Sequence, residues 1–99
     1  MHETNFRTYE QAIEFYRECT KLRLKGCLRD QLHRASLSVV LNLAEGAAKP
    51  TKADKKRFYA IAYGSIRESQ ALCRVIDNPA LFKRADQIGA MTYRLMRSQ

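Results

Sequence analysis

Residues 31–46 read QLHRASLSVVLNLAEG, the longest run of small and apolar residues in the chain, and neither Gly nor Pro interrupts it before Gly46. Leu32, Ala35, Val39 and Leu43 recur three and four apart, which makes one apolar stripe on a helix. Leu37, Val40, Leu41, Ala44 and Ala48 make a second stripe beside it. A helix apolar on two sides needs cover on two sides, so this one belongs inside a helical bundle.

Outward from this helix, each flank carries a helical pattern with its own stop signals. Upstream, residues 1–7 read as a short arm and Thr8 as an N-cap. Tyr9, Ala12, Ile13, Tyr16, Cys19 and Thr20 form a stripe, with Phe15 and Leu22 off it, either padding a wide core face or exposed to a partner. The run LRLKG then ends the helix at Gly26. Downstream, Pro50 stops the second helix, and Thr51 can cap the third with Asp54 placed to reach back. Asp77-Asn78-Pro79 ends the third and opens a fourth striped by Leu81, Ala85, Ile88, Thr92 and Leu95.

The pattern predicts helices over 8–25, 28–48, 52–76 and 79–97 in a single domain, 1–99. Short connections make it all-α, an antiparallel up-down-up-down four-helix bundle. Only 4 Gly and 2 Pro in 99 residues argue against a sandwich or barrel, whose hairpins would each want turn residues.

Antiparallel pairing about a turn at Pro50–Thr51 sets Ser38 opposite Gly64, Arg34 opposite Glu68, and Glu45 near Arg57. Gly64, costly inside a helix, is then explained by close backbone approach. Arg34 and Glu68 make a partly buried, bidentate ion pair, and Asn42 hydrogen-bonds a backbone group of a neighbouring helix. These polar residues read as a register lock within the bundle more readily than as a site.

These residues also carry a resemblance. Gln31-Leu32, Arg34-Ala35, Ser38, Asn42 and Ala44-Glu45-Gly46, then Phe58, Ala62, Gly64-Ser65 and Glu68, resemble the four-helix-bundle proteins encoded in 23S rRNA intervening sequences, over most of residues 9–97. The resemblance implies an antiparallel four-helix bundle assembled as a homopentameric ring. A distant relative of that family is the accessory variability protein of diversity-generating retroelements, a basic pentamer that binds nucleic acid and partners a reverse transcriptase. The chain departs from the family at Val40, where Pro is frequent, and at Ala47-Ala48-Lys49, where a glycine and an arginine follow the Glu-Gly. The first departure should straighten the second helix; the second leaves Lys49 to supply the arginine's charge. The fourth helix is also shorter than is usual for the family.

No catalytic constellation is present. The histidines are His2, in the arm, and His33, beside Arg34 and read as a surface or interface residue. There is no H-E-x-x-H, P-loop or G-x-G-x-x-G. Cys19, Cys27 and Cys73 are odd in number and widely spaced, which suits neither a disulfide framework nor a zinc site, and Cys19 and Cys73 fall on apolar faces. The expectation is no enzyme activity, no catalytic residue, no metal and no cofactor. Without a hydrophobic leader or long apolar run, the expected location is cytoplasmic, with no membrane span.

Charge is the remaining lead. Lys and Arg number 18 against 10 Asp and Glu, a net charge of +8. In the bundle Lys49, Lys52, Lys55, Lys56 and Arg57 crowd one end with Arg94 and Arg97; Lys21, Arg23, Lys25, Arg29, Arg74, Lys83 and Arg84 crowd the other. Tyr59 and Tyr63 adjoin the first cluster and either stack on bases or pack. Self-association is expected because Phe15, Leu22, Leu24, Leu41 and Tyr63 exceed the needs of one small core. The sequence thus points to a homo-oligomer binding RNA or DNA by charge through its basic ends. Its rival is a scaffold whose ring meets another protein, the charge serving solubility. Membrane-surface binding is disfavoured, since no helix opposes a strongly basic face to a clean apolar one.

Overall fold

Prolines and capping residues divide the second half of the chain where the sequence puts the breaks. The computed structural model describes residues 3–99, in four helices: α1 (Glu3–Thr20), α2 (Gly26–Ala48), α3 (Lys52–Val75) and α4 (Pro79–Arg97). Lys49, held extended ahead of Pro50 (φ −74°, ψ 143°), closes α2. Thr51 caps α3 by accepting from the Asp54 backbone N–H at 3.1 Å. Asn78 caps α4 by accepting from the Leu81 N–H at 3.0 Å, with Pro79 at the first helical position. Between them Asp77 takes a left-handed conformation (φ 57°), and the Asn78 and Asp77 N–H groups close back on the Cys73 and Arg74 carbonyls, a Schellman stop.

The first helix differs from expectation at both ends. It begins at Glu3, so residues 3–7 are helical rather than an arm; Met1 and His2 lie outside the described residues. Thr8 is no cap: it is fully buried, and its hydroxyl donates to the Thr4 carbonyl at 2.9 Å. Tertiary contact holds this start in place, for Asn5 Nδ2 donates to the Tyr59 hydroxyl at 3.1 Å. At the other end α1 stops at Thr20 rather than 25, tightened by Lys21 and Leu22 N–H bonds to Glu18 and Cys19. Leu22 and Leu24 leave the helix to pack on the core from the connection, and Gly26 (φ 62°) opens α2 instead of closing α1.

Each helix packs against its two neighbours in a four-cornered bundle, and cross-contacts such as Ser38–Ser65 and Arg34–Glu68 show that α2 and α3 run antiparallel. Val40 leaves α2 unbroken from Gly26 to Ala48. The core joins Phe15, Leu32, Val39, Tyr59, Ile66, Ile88 and Leu95. Phe15 is wholly buried, so it contributes nothing to a surviving apolar surface. The second stripe of α2 is different: Val40 is buried, but Leu37 is 37% and Leu41 54% exposed. Together with Ile61 on α3, 46% exposed, they form an apolar face that this chain does not cover.

Gly64 does not take the role expected of it. A Cβ at Gly64 would meet nothing within 4 Å, so close packing inside the bundle does not explain it. Gly46 is the tight position, where a Cβ would fall 2.6 Å from the Tyr59 ring. Gly64→Ala should therefore raise monomer stability by about 0.5–1 kcal/mol, the helix-propensity gain. Gly46→Ala should lower it by about 1–3 kcal/mol, because the fully buried Tyr59 ring cannot step aside. Urea unfolding of the two variants checks the opposite signs.

Candidate nucleic-acid interface

The start of α1, the end of α2, the start of α3 and the end of α4 meet at one end of the bundle. Their cations are those foreseen there (Lys49, Lys52, Lys55, Lys56, Arg57, Arg94 and Arg97), joined by Arg7 because residues 3–7 are helical and not a short arm. Arg94 and Arg97 sit in the last turn of α4, where the macrodipole favours cations. Lys52, Lys55, Lys56 and Arg57 occupy the first turns of α3, where it opposes them, with Asp54 as the acid of that first turn. Helix electrostatics therefore accounts for the first pair and works against the four.

These cations differ in how firmly they are held. Lys52, Lys56, Arg57, Arg94 and Arg97 are exposed, while Lys49 and Lys55 are half-buried. Lys55 Nζ donates to the Ala47 carbonyl at 3.0 Å and the Gly46 carbonyl at 3.4 Å, capping α2 from outside. Lys49 pairs with Glu45 at 3.4 Å and, with Arg57, brackets the Phe58 ring, each cation 4.9 Å from its centroid. Arg97 donates to the Tyr93 hydroxyl at 2.9 Å and lies over that ring. A recess of about 700 Å³ opens among these elements, lined by residues that include Thr4, Lys55, Arg94, Leu95 and Ser98.

The two tyrosines foreseen here are largely spent on packing. Tyr59 is buried, and burial pushes its phenol above the ordinary tyrosine range. Half-buried Tyr63 packs on Tyr93, centroids 5.5 Å apart, and its hydroxyl accepts from Arg67 Nε at 3.2 Å. Phe58, named in the sequence for the family resemblance and not for a cation contact, and Tyr93, not named there, also present ring faces to cations; spacing alone does not show which side of the helix they take.

The polar residues expected to lock α2 to α3 do so in part. Arg34 Nη2 meets Glu68 Oε2 at 2.6 Å, but through one contact and with side chains 60% and 43% exposed, so it is a surface pair and contributes little. It also donates to Gln31 Oε1. Ser38 meets the Ser65 hydroxyl at 2.8 Å rather than facing Gly64. Asn42 turns back on its own helix, donating to the Ser38 carbonyl at 2.9 Å, because Ser38 lies one turn behind it and offers both carbonyl and hydroxyl. Glu45 reaches Lys49, not Arg57.

This arrangement of helices has counterparts. The model of the 23S rRNA-intervening sequence proteins matches residues 4–94. The chain belongs to that family. Among solved structures, a protein with unknown function from the S23 ribosomal protein family of Bacteroides thetaiotaomicron VPI-5482 is similar, at TM-score 0.85 and 12% identity over 95% of this chain and 98% of that one. At that identity the likeness speaks for the fold alone. No curated protein matches the sequence.

This intervening-sequence protein carries a second set of cations, two of them paired with carboxylates. At the opposite end Arg84 is tied to Glu18 at 3.2 Å and Glu14 at 3.7 Å, and Arg29 to Asp30 at 3.2 Å. Cys19 and Cys73 are buried free thiols, and Cys27 is exposed. Cys19 is pushed up first by its hydrogen bond to Cys73 and then by burial. The two lie on α1 and α3, which have no Cα atoms within 8 Å of each other, too far for a disulfide without backbone movement. Among the described residues no group of three or more His, Cys, Asp and Glu side chains is placed to hold a metal, and no helix is long and apolar enough to cross a membrane.

Proposed function

We propose that this chain is a non-enzymatic, cytoplasmic, homo-oligomeric bundle that binds RNA or DNA by charge through the end carrying Lys49, Lys52, Lys55, Lys56, Arg57, Arg94 and Arg97. The observation that carries the reading is the set of cations at the α3 N-terminus. They stand against the helix dipole and mostly lack carboxylate partners, a placement that costs stability unless an anion completes it. No element presents itself to a groove for base readout, so recognition rests on charge and shape. Binding of a short structured RNA should then weaken steeply with salt, log K falling by about 0.7–0.9 per tenfold rise in salt for each phosphate neutralised. Binding that is absent, or flat against salt, would move the reading to a protein scaffold.

Self-association into the homopentameric ring implied by the family resemblance is part of this proposal. Leu37, Leu41 and Ile61 lie exposed on the α2–α3 side, and Gly64 on the same helix as Ile61 has open space above it. A second copy could bring its backbone close there, and a ring would multiply the basic ends into one rim. Light scattering should report five times the 11.4 kDa chain mass, and Leu41→Glu should shift it to the single-chain value with helicity retained.

A further inference from the structure

All four helices line the recess at the basic end: Thr4 from α1, Ala47 from α2, Lys55 from α3, and Arg94 and Leu95 from α4, with Ser98 just beyond that helix. Its volume, about 700 Å³, suits a small organic ligand. The wall is apolar at Ala47 and at Leu95, which is only 4% exposed, and polar toward Ser98.

Its cations are unlike a loose surface cluster. Lys55 is held by two α2 carbonyls, at 3.0 and 3.4 Å, which fix the ammonium at the wall and leave a third N–H uncommitted. Arg94 lines both this recess and a smaller one of about 190 Å³ that Arg7 also lines. Three cations thus serve two adjoining hollows, and no acidic side chain lines either among the described residues.

We propose that this recess takes the terminal phosphate of a nucleic-acid strand, with the phosphate on Lys55 and Arg94 and the adjoining base against Leu95 and Ala47. The inference rests on the nucleic-acid reading above and deepens it. A terminal monoester carries nearly two charges at neutral pH against one for a backbone diester, so a Lys and an Arg lining one recess with no acidic neighbour among the described residues favour it.

The test is fluorescence anisotropy with one short single strand carrying phosphate or hydroxyl at its end, 5′ and 3′ in turn, with adenosine monophosphate as competitor. One of the phosphorylated strands should bind about tenfold tighter than its hydroxyl counterpart. Arg94→Gln and Lys55→Gln should each erase that preference, while Lys25→Gln at the far end should keep it. Equal, salt-sensitive affinity for all strands overturns the terminal site and leaves electrostatic binding standing. No binding of any strand overturns both. If the mononucleotide binds as tightly as the strand and shows the same Arg94 dependence, the phosphate belongs to a free nucleotide and the strand-end assignment is wrong.

Discussion

Phe15→Ala should cost about 3–5 kcal/mol of stability, a large part of the roughly 5–15 kcal/mol that holds a domain of this size together. The ring is wholly buried and belongs to the cluster that joins α1 to Leu32, Val39, Tyr59 and Ile88. Truncation removes its transfer free energy and leaves a cavity whose walls come from separate helices, so collapse of one wall does not fill it. The loss should show first in α1, whose contact with α4 is the slightest interface in the bundle. Urea unfolding at fixed protein concentration should show a lower midpoint with little change in slope, and hydrogen exchange should quicken in α1 before α3. A cost below about 1 kcal/mol would mean that the site repacks and that α1 is not anchored through Phe15.

Phe15 also shows where the sequence was legible and where it was not. The breaks around Pro50 and Asn78-Pro79 were readable because caps and prolines act on their immediate neighbours, and those neighbours are visible in the chain. The face of α1 was misjudged by one position. Tyr9, Ile13 and Tyr16 drew the stripe toward themselves, yet they are half-buried, while Thr8, Ala12, Phe15 and Cys19 are the fully buried set. Thr8, read from the sequence as a cap, can be buried at little cost because its hydroxyl is satisfied by its own helix. The start of α1 depends on Asn5 reaching Tyr59, fifty-four residues away in sequence, which no local pattern reports.

The site divides in the same way. Topology alone gathers the seven foreseen cations at one end, because alternating helices return there. Which of them are committed depends on side-chain geometry: Lys55 to two carbonyls, Lys49 and Arg57 to one ring, and Arg97 to Tyr93. Gly64 is the instructive error. Its cost inside a helix suggests a close approach, but a Cβ there would meet nothing within 4 Å, so no such approach is made within the chain.

Replacing Lys52, Lys56 and Arg57 together by Gln should weaken nucleic-acid binding by about 10–100-fold near 0.1 M salt and make the slope of log K against log salt shallower by about 2–3, one phosphate contact for each charge removed. All three are exposed and lie outside the recess, so the substitutions leave core packing and the proposed strand-end site intact. The stability change should have the opposite sign to the binding change. Removing positive charge from the first turns of α3 relieves its conflict with the helix dipole, offset only by the loss of Arg57 from the Phe58 ring. A thermal midpoint that holds or rises while affinity falls would mean that the cations are kept at the expense of the fold, as expected for a binding surface. Unchanged affinity with a raised midpoint would make them a merely solvated face, and the electrostatic reading of this end would fall with it.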